Sequence, residues 1–202
     1  MPRVREPVCE VCGVALSAAG KRCADCTAVR PSFMALRSWS FFEAPVRPAL
    51  HRLKYRRDLG LGEALAHQMA EYVNDLRWEA DMLVPVPLGR SRLRERGYNQ
   101  AGLISWPLAF SLGIPHASRA LERTRETRSQ VGLTRVERHD NVRDAFRSRP
   151  GEVADKTILV VDDVATTGAT LSSCAAALYA AGARDVLALT VARAHRGLTG
   201  GA

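Results

Sequence analysis

The segment from Ile158 to Thr170, Ile-Leu-Val-Val-Asp-Asp-Val-Ala-Thr-Thr-Gly-Ala-Thr, restricts the folds open to this chain more than any other. Its unbroken apolar run reads as a strand buried on both faces, and such strands belong to parallel sheets covered by helices. The run delivers two adjacent acids, Asp162 and Asp163, then a turn of small residues. A small-residue helix follows, Ala169 to Ala181, with Gly182 placed to end it. Ligands of open α/β sheets gather at the carboxyl ends of strands. There the N–H groups of a turn and of a helix N-terminus make an anion site. Thr166, Thr167 and Thr170 add hydroxyl donors, and Gly168 lets the backbone approach a phosphate closely. The two carboxylates can accept hydrogen bonds from neighbouring sugar hydroxyls or help to hold a hydrated Mg2+. A ligand-free strand, acidic turn and capped helix is the plainer reading. The ordered run of strand, acids, hydroxyls, glycine and helix stands against it.

Further apolar runs predict partners in the same sheet: Met82 to Val86, Val186 to Val191, and a shorter strand over Trp39 to Phe42. Pro48 to Tyr55 predicts a short helix with a basic end. Leu61, Leu65, Met69, Val73 and Leu76 recur at helical spacing and predict an amphipathic helix from Gly62 to Trp78. Ala101 to Leu112 is helical in character, and Pro107 is expected to kink or break it. Arg119 to Arg149 has no clean period and reads as a long mobile loop or hairpin. Strands alternating with helices predict an α/β fold with a mainly parallel twisted sheet and flanking helices.

Four of the five cysteines lie ahead of this region as two C-x-x-C pairs, Cys9 with Cys12 and Cys23 with Cys26, separated by ten residues. Two such pairs close a tetrahedral zinc site. Disulfides, an iron–sulfur cluster and a redox C-x-x-C are the alternatives. No apolar stretch follows Arg3 and Arg5, so no secretion signal is expected, which disfavours disulfides and points to the cytoplasm. A metal with four protein ligands is coordinatively full, hence structural or adhesive rather than catalytic. Cys174, inside the small-residue helix, reads as a buried packing residue. The expected organisation is a four-cysteine zinc element over 1–32, an α/β domain over 33–195 and a disordered tail over 196–202.

The net charge of +8 is unevenly placed, with 13 Arg against six acids between Arg90 and Arg149. Such a field attracts phosphate-bearing ligands, small or nucleic; a solvated arginine face is the alternative. Aromatic content is only 6%, which weakens a case for base stacking. The longest uncharged run, Gln100 to Ser118, is interrupted by Gly102, Pro107, Gly113 and Pro115, and is a poor membrane span, which needs about 20 mostly apolar residues.

The Ile158–Thr170 segment resembles the ribose-phosphate fingerprint of the type I phosphoribosyltransferases. The resemblance implies that Asp162 and Asp163 hold the ribose hydroxyls of phosphoribosyl pyrophosphate with Mg2+. It assigns the 5-phosphate to the loop of Val164, Ala165, Thr166, Thr167, Gly168, Ala169 and Thr170. Hypoxanthine–guanine members place a carboxylate where Thr166 stands, so that substrate class is disfavoured. Pro85-Val-Pro-Leu-Gly-Arg90 stands where the family's pyrophosphate loop sits, which assigns Leu88, Gly89, Arg90 and Arg96, with Arg92 and Arg94 nearby, to the diphosphate.

Arg96-Gly-Tyr-Asn-Gln100 is similar to the hallmark of the ComF/GntX group, which also carries an N-terminal four-cysteine element. Leu53-Lys-Tyr55, Ser129-Gln130, Glu137-Arg138 with Asn141, and Ala145-Phe146 extend the likeness. In that light the arginine-rich stretch is the family's flexible loop, with Arg123, Arg125, Arg128, Arg135 and Arg138 as leaving-group contacts. The implied activity is transfer of phosphoribosyl to an unidentified nitrogenous acceptor with release of pyrophosphate. Two other roles are compatible with the resemblance: binding of single-stranded DNA or a competence helicase during DNA uptake, and sensing of the sugar diphosphate without chemistry. It also leaves room for a homodimer.

Overall fold

In a computed structural model, which describes residues 7–16, 20–126, 137, 141–142 and 144–194, the apolar runs form one parallel sheet. Its strands are β1 (Ala35–Phe41), β2 (Met82–Pro85), β5 (Thr157–Ala165) and β6 (Asp185–Arg193), in the spatial order β1-β6-β5-β2. Every pairing is parallel, so all four carboxyl ends lie along one edge. Between β2 and β5 the chain makes a short antiparallel pair, β3 (Leu121–Arg123) with β4 (Phe146–Ser148). The outer parts of the arginine-rich stretch are therefore a hairpin.

Side chains alternate across the pleat of β5. Ile158 and Val160 face a core shared with α6 (Ala169–Ala180), β3 and β4, while Leu159 and Val161 face the opposite core. That second core is built by α2 (Val46–Tyr55), α3 (Gly60–Asp75) and α5 (Gln100–Leu112). Two short helices, α1 (Ala24–Ala28) and α4 (Arg90–Arg96), complete the described elements; α4 buries none of its side chains. Helices cover both faces, as continuous hydrophobic strands require.

The predicted elements recur with shifted ends: β1 starts at Ala35 rather than Trp39 and α2 at Val46 rather than Pro48, whereas α3 stops at Asp75 rather than Trp78 and β2 at Pro85 rather than Val86. Of the kink or break expected at Pro107, the break is absent: α5 runs through that residue. Proline leaves the Leu103 carbonyl without the N–H it would accept from position 107. The neighbouring helix compensates, because Gly62 of α3 packs directly on that oxygen. A Cβ at Gly62 would lie 2.7 Å from it. Its Cα–H can supply the weak contact that closes the gap.

The four-cysteine element is fastened to β1 and β6. Leu36 donates its N–H to the Val11 carbonyl at 2.7 Å, and the buried Arg193 donates to the Cys12 carbonyl at 2.7 Å. All four cysteines share one core with Phe33, Leu36 and Cys174. Among the described residues no helix is long and apolar enough to cross a membrane. The tail over 196–202 lies outside the described residues.

Candidate functional site

At the carboxyl edge of the sheet, the pleat of β5 turns Asp162 toward the α6 face and Asp163 toward α2. Asp163 is 4% exposed, and its carboxylate meets the Lys54 ammonium near the end of α2. Burial alone would raise the Asp163 pKa, but the Lys54 charge and hydrogen bond outweigh it and hold the carboxyl below its ordinary value. Lys54 is likewise kept charged, its desolvation outweighed by Asp163 and then Asp162. Asp162 is shifted the other way, well above the usual carboxylate range, by burial and by the neighbouring Asp163 charge. Its Oδ1 accepts from the Asp163 N–H at 2.8 Å. One acid is thus compensated within the protein, and the other is left to recruit a hydroxyl or a hydrated cation.

The turn beyond the acids is shorter than the sequence suggested. Val164 and Ala165 remain in β5, paired with Ala192 and Arg193, so they belong to the sheet rather than the loop. The ladder between β5 and β6 starts back at Thr157, and the apolar face of Val164 prolongs that pairing past the acids. The turn itself is Thr166-Thr167-Gly168, and Ala169 and Thr170 open α6. Gly168 caps the helix at φ +82, a left-handed conformation that side chains disfavour, and a Cβ there would lie 3.4 Å from the Leu36 side chain and 3.5 Å from the Phe33 ring. Thr167 Oγ1 accepts from the Ala169 N–H at 3.3 Å, so a hydroxyl sits at the helix N-terminus where an anion would be favoured.

The expected diphosphate residues do not all converge. Leu88 and Gly89 follow β2, and Arg90 is exposed at the start of α4. The Glu126 carboxylate closes over this turn, accepting the Ser91 N–H at 3.1 Å and lying against Gly89. Arg96 points back into the fold, donating to Gln100 Oε1 at 3.0 Å and covering the Tyr55 ring at 5.1 Å. Arg123 is closer to the acids. Burial and then the positive charge of Arg92 lower its pKa, while Glu126 and Asp162 oppose the shift. Arg125 donates to the Asn141 carbonyl at 3.3 Å. Arg128, Arg135 and Arg138, like Ser129 and Gln130, lie outside the described residues.

Lys54 was absent from the binding set drawn from the sequence, though it stands inside the Leu53-Lys-Tyr55 match. The signal that could have found it is a lone lysine among arginines, on a helix leading to the sheet edge. His116 is held by Ser105, Nε2 to Oγ 2.8 Å, and burial lowers its pKa, which marks a structural histidine. Cys174 is fully buried, and burial followed by the Asp162 charge drives its pKa far up, as suits a packing residue.

The Sγ atoms of Cys9, Cys12, Cys23 and Cys26 all lie within 4.8 Å of one another, and all four residues are buried. All five cysteines are free thiols. Tetrahedral Zn–S bonds of about 2.3 Å place ligand sulfurs about 3.8 Å apart; Cys12 and Cys23 are separated by 3.7 Å. The Cys9 pKa falls to about 6 because backbone N–H groups of Cys12, Cys23 and Val11 outweigh desolvation. Burial raises Cys12, and burial with the neighbouring sulfurs drives Cys26 higher still. These four residues could hold one metal ion.

The family model described as "Phosphoribosyl transferase domain" matches residues 57–199. Competence protein F of Haemophilus influenzae is 29% identical over 195 residues, covering 93% of this chain and 85% of that protein. DNA utilization protein YhgH of Salmonella typhimurium is 33% identical over 189 residues, covering 91% and 83% respectively. Among solved structures, glutamine phosphoribosylpyrophosphate amidotransferase from B. subtilis is 21% identical with a TM-score of 0.46, covering 65% of this chain and 26% of that one. A family-model match across the acids, the turn and three of the four strands of the parallel sheet, with relatives aligned over nearly the full chain, makes this protein a member of the ComF family within the phosphoribosyltransferase superfamily.

Proposed function

We propose that the protein binds phosphoribosyl pyrophosphate at the carboxyl edge of its sheet and transfers the phosphoribosyl group to a nitrogenous acceptor. The observation that carries this reading is the Asp162–Asp163 pair set against the Thr166–Gly168 turn and the N-terminus of α6. Asp162 takes one ribose hydroxyl, Asp163 offers the other the lone pairs that Lys54 leaves, and the turn with Ala169 and Thr170 takes the 5-phosphate, displacing the Thr167 hydroxyl from the Ala169 N–H. Arg123, which feels the Asp162 charge, and Arg92, whose charge acts on Arg123, would meet charge on the leaving diphosphate. Mg2+ would be held by Asp162, the partly exposed acid without a lysine partner, and would neutralise diphosphate charge. The acceptor nitrogen forms a bond to C1 as the C1–O bond breaks, with the electron pair leaving on pyrophosphate. The protein's part is to align the reactants and to stabilise charge.

Zn2+ in the four-cysteine site is proposed to be structural, and the cytoplasm is the proposed location. The names of the relatives favour a second reading, in which the protein serves DNA uptake or use by contacting single-stranded DNA or a helicase. The two can coexist, since fold does not dictate function.

Calorimetric titration with phosphoribosyl pyrophosphate and Mg2+, on the wild type and on Asp163→Asn, tests the first reading. Wild type binds, and the variant binds at least about tenfold more weakly, since an amide cannot supply the carboxylate's charge. Failure of folded wild type to bind removes the reading. Binding without pyrophosphate release across a panel of bases would reduce it to a sensor.

A further inference from the structure

Beside the acid pair the structure holds a second feature, a cleft of about 570 Å3 along α2 at the carboxyl end of β1. That volume suits one small ligand. Its aromatic lining is Phe42, His51 and Tyr55; the last two rings lie 4.8 Å apart, and Tyr55 is 61% exposed. Its polar lining is cationic: Arg47, Arg52, Lys54 and Arg56, with no carboxylate among the lining residues. Arg52 is paired with Asp58 and Lys54 with Asp163. Arg47 lies over the Phe42 ring at 6.0 Å, and neither it nor Arg56 meets a carboxylate among the described residues.

We propose that this cleft is the acceptor subsite and that it takes a planar nitrogen heteroaromatic ring bearing a carboxylate. The inference rests on the transferase reading above and names the substrate class that reading leaves open. Position supports it, because Lys54 belongs to both the cleft and the acid pair, so a ring seated here borders the proposed ribose site. Charge supports it too. A neutral purine carries N–H donors beside its acceptors, and no carboxylate among the lining residues would meet those donors, whereas the guanidinium donors of the cleft match a carboxylate in full. The aromatic side chains cluster on one helix turn and one strand end instead of forming successive stacking platforms, which fits a single ring better than a polynucleotide. A pyridine-type nitrogen attacks C1 through its lone pair, the C1–O bond breaks, and its electron pair leaves on pyrophosphate. No proton moves, so no general base is required.

The test pairs two probes of equal shape, pyridine-3-carboxylate and pyridine-3-carboxamide, titrated into the wild-type chain with and without Mg2+ and phosphoribosyl pyrophosphate. Binding is followed by calorimetry and by NMR shifts at Phe42, His51 and Tyr55. The expected result is at least about tenfold tighter binding of the carboxylate, with shifts at those three residues. The double variant Arg47→Gln/Arg56→Gln, altered at exposed positions, should lose that preference. Equal affinity for the two probes, no binding of either, or a preference that survives in the double variant overturns the proposal. So does a short oligothymidylate that occupies the cleft more tightly than both probes, with affinity falling steeply in salt. The sugar diphosphate titration in the same samples separates the failures. If it binds while the carboxylate does not, only the subsite inference falls; if it does not bind, the transferase reading falls and takes the subsite with it.

Discussion

Replacing Lys54 with methionine removes the one cation that, among the described residues, directly contacts Asp163, and leaves two adjacent carboxyls at a buried strand end. Breaking a buried ion pair from one side costs about 3–5 kcal/mol, because the surviving charge is stranded. The Lys54 side chain is 22% exposed and that of Asp163 6%, so partial solvation reduces the figure to about 2–4 kcal/mol. Urea unfolding at about pH 7.5 measures it directly, against a total stability of about 5–15 kcal/mol for a domain.

The pH dependence carries a sign. The lowered Asp163 pKa means that its pairing stabilises the fold above the ordinary carboxylate range and is lost as pH falls through the lowered value. The raised Asp162 pKa does the opposite: its charge costs stability at neutral pH, and protonation of the folded state relieves that cost on acidification. Without Lys54 the two acids must share a proton, as close carboxyl pairs do. The deficit of the variant should therefore shrink by about 1 kcal/mol or more at about pH 5. Acid also loosens a thiolate metal site, but wild type and variant carry the same four cysteines, so the difference between them cancels that effect. Adding Asp163→Asn to Lys54→Met should restore much of the loss. A deficit under about 0.5 kcal/mol at neutral pH, or one that does not shrink in acid, would refute the buried-pair argument.

Three more outcomes are expected. Cys12→Ala should abolish a stoichiometric metal found by elemental analysis and lower the melting temperature by about 10 °C or more, since several kcal/mol are lost at about 2–4 °C each; an unchanged melting point would show that the element does not support the fold. Gly62→Ala places a Cβ 2.7 Å from the Leu103 carbonyl oxygen, forcing α3 and α5 apart at about 1–3 kcal/mol, readable as a shift in urea midpoint. Tyr98→Phe deletes the hydroxyl donated to the Leu53 carbonyl and should cost about 1 kcal/mol. Combined with Lys54→Met it should depart from additivity by about 0.5 kcal/mol or more, because both residues fix the end of α2.

The parallel sheet was legible because hydrophobic strands covered on both faces leave an unbroken apolar run, and the runs ending at Val86, Val161 and Val191 all do. The acid pair and the four cysteines could be picked out for a different reason: the acids are adjacent, and each cysteine pair is a C-x-x-C with its partner pair only ten residues away. What escaped was tertiary. Nothing local announces that Val164 and Ala165 stay in β5, because that depends on β6 running far enough to pair with them. Pro107 looked like a break because the compensating glycine lies on another helix. Lys54 escaped because more than a hundred positions separate it from Asp163 in the chain, and a lysine on a basic helix end resembles ordinary surface.

The Arg96-Gly-Tyr-Asn-Gln100 motif gains a physical reading that its resemblance alone could not supply. Arg96 covers Tyr55 and bonds Gln100, Tyr98 reaches the Leu53 carbonyl, and Asn99 donates to the Val86 carbonyl at 3.0 Å. The Asn99 side chain also accepts from the Ala101 N–H at 3.1 Å, capping α5. Arg96 and Tyr98 tie this segment to α2, Arg96 and the Asn99 cap tie it to α5, and Asn99 ties it to the residue after β2; none of these contacts aims a side chain at the acid pair. The motif therefore acts on the site through α2, by fixing the height at which Lys54 meets Asp163 and Tyr55 borders the cleft. A diphosphate-binding role for Arg96 would require it to leave both Tyr55 and Gln100. Arg123, whose charge Asp162 favours, covers the Phe146 ring at 5.4 Å, so it too would exchange an existing contact for a diphosphate.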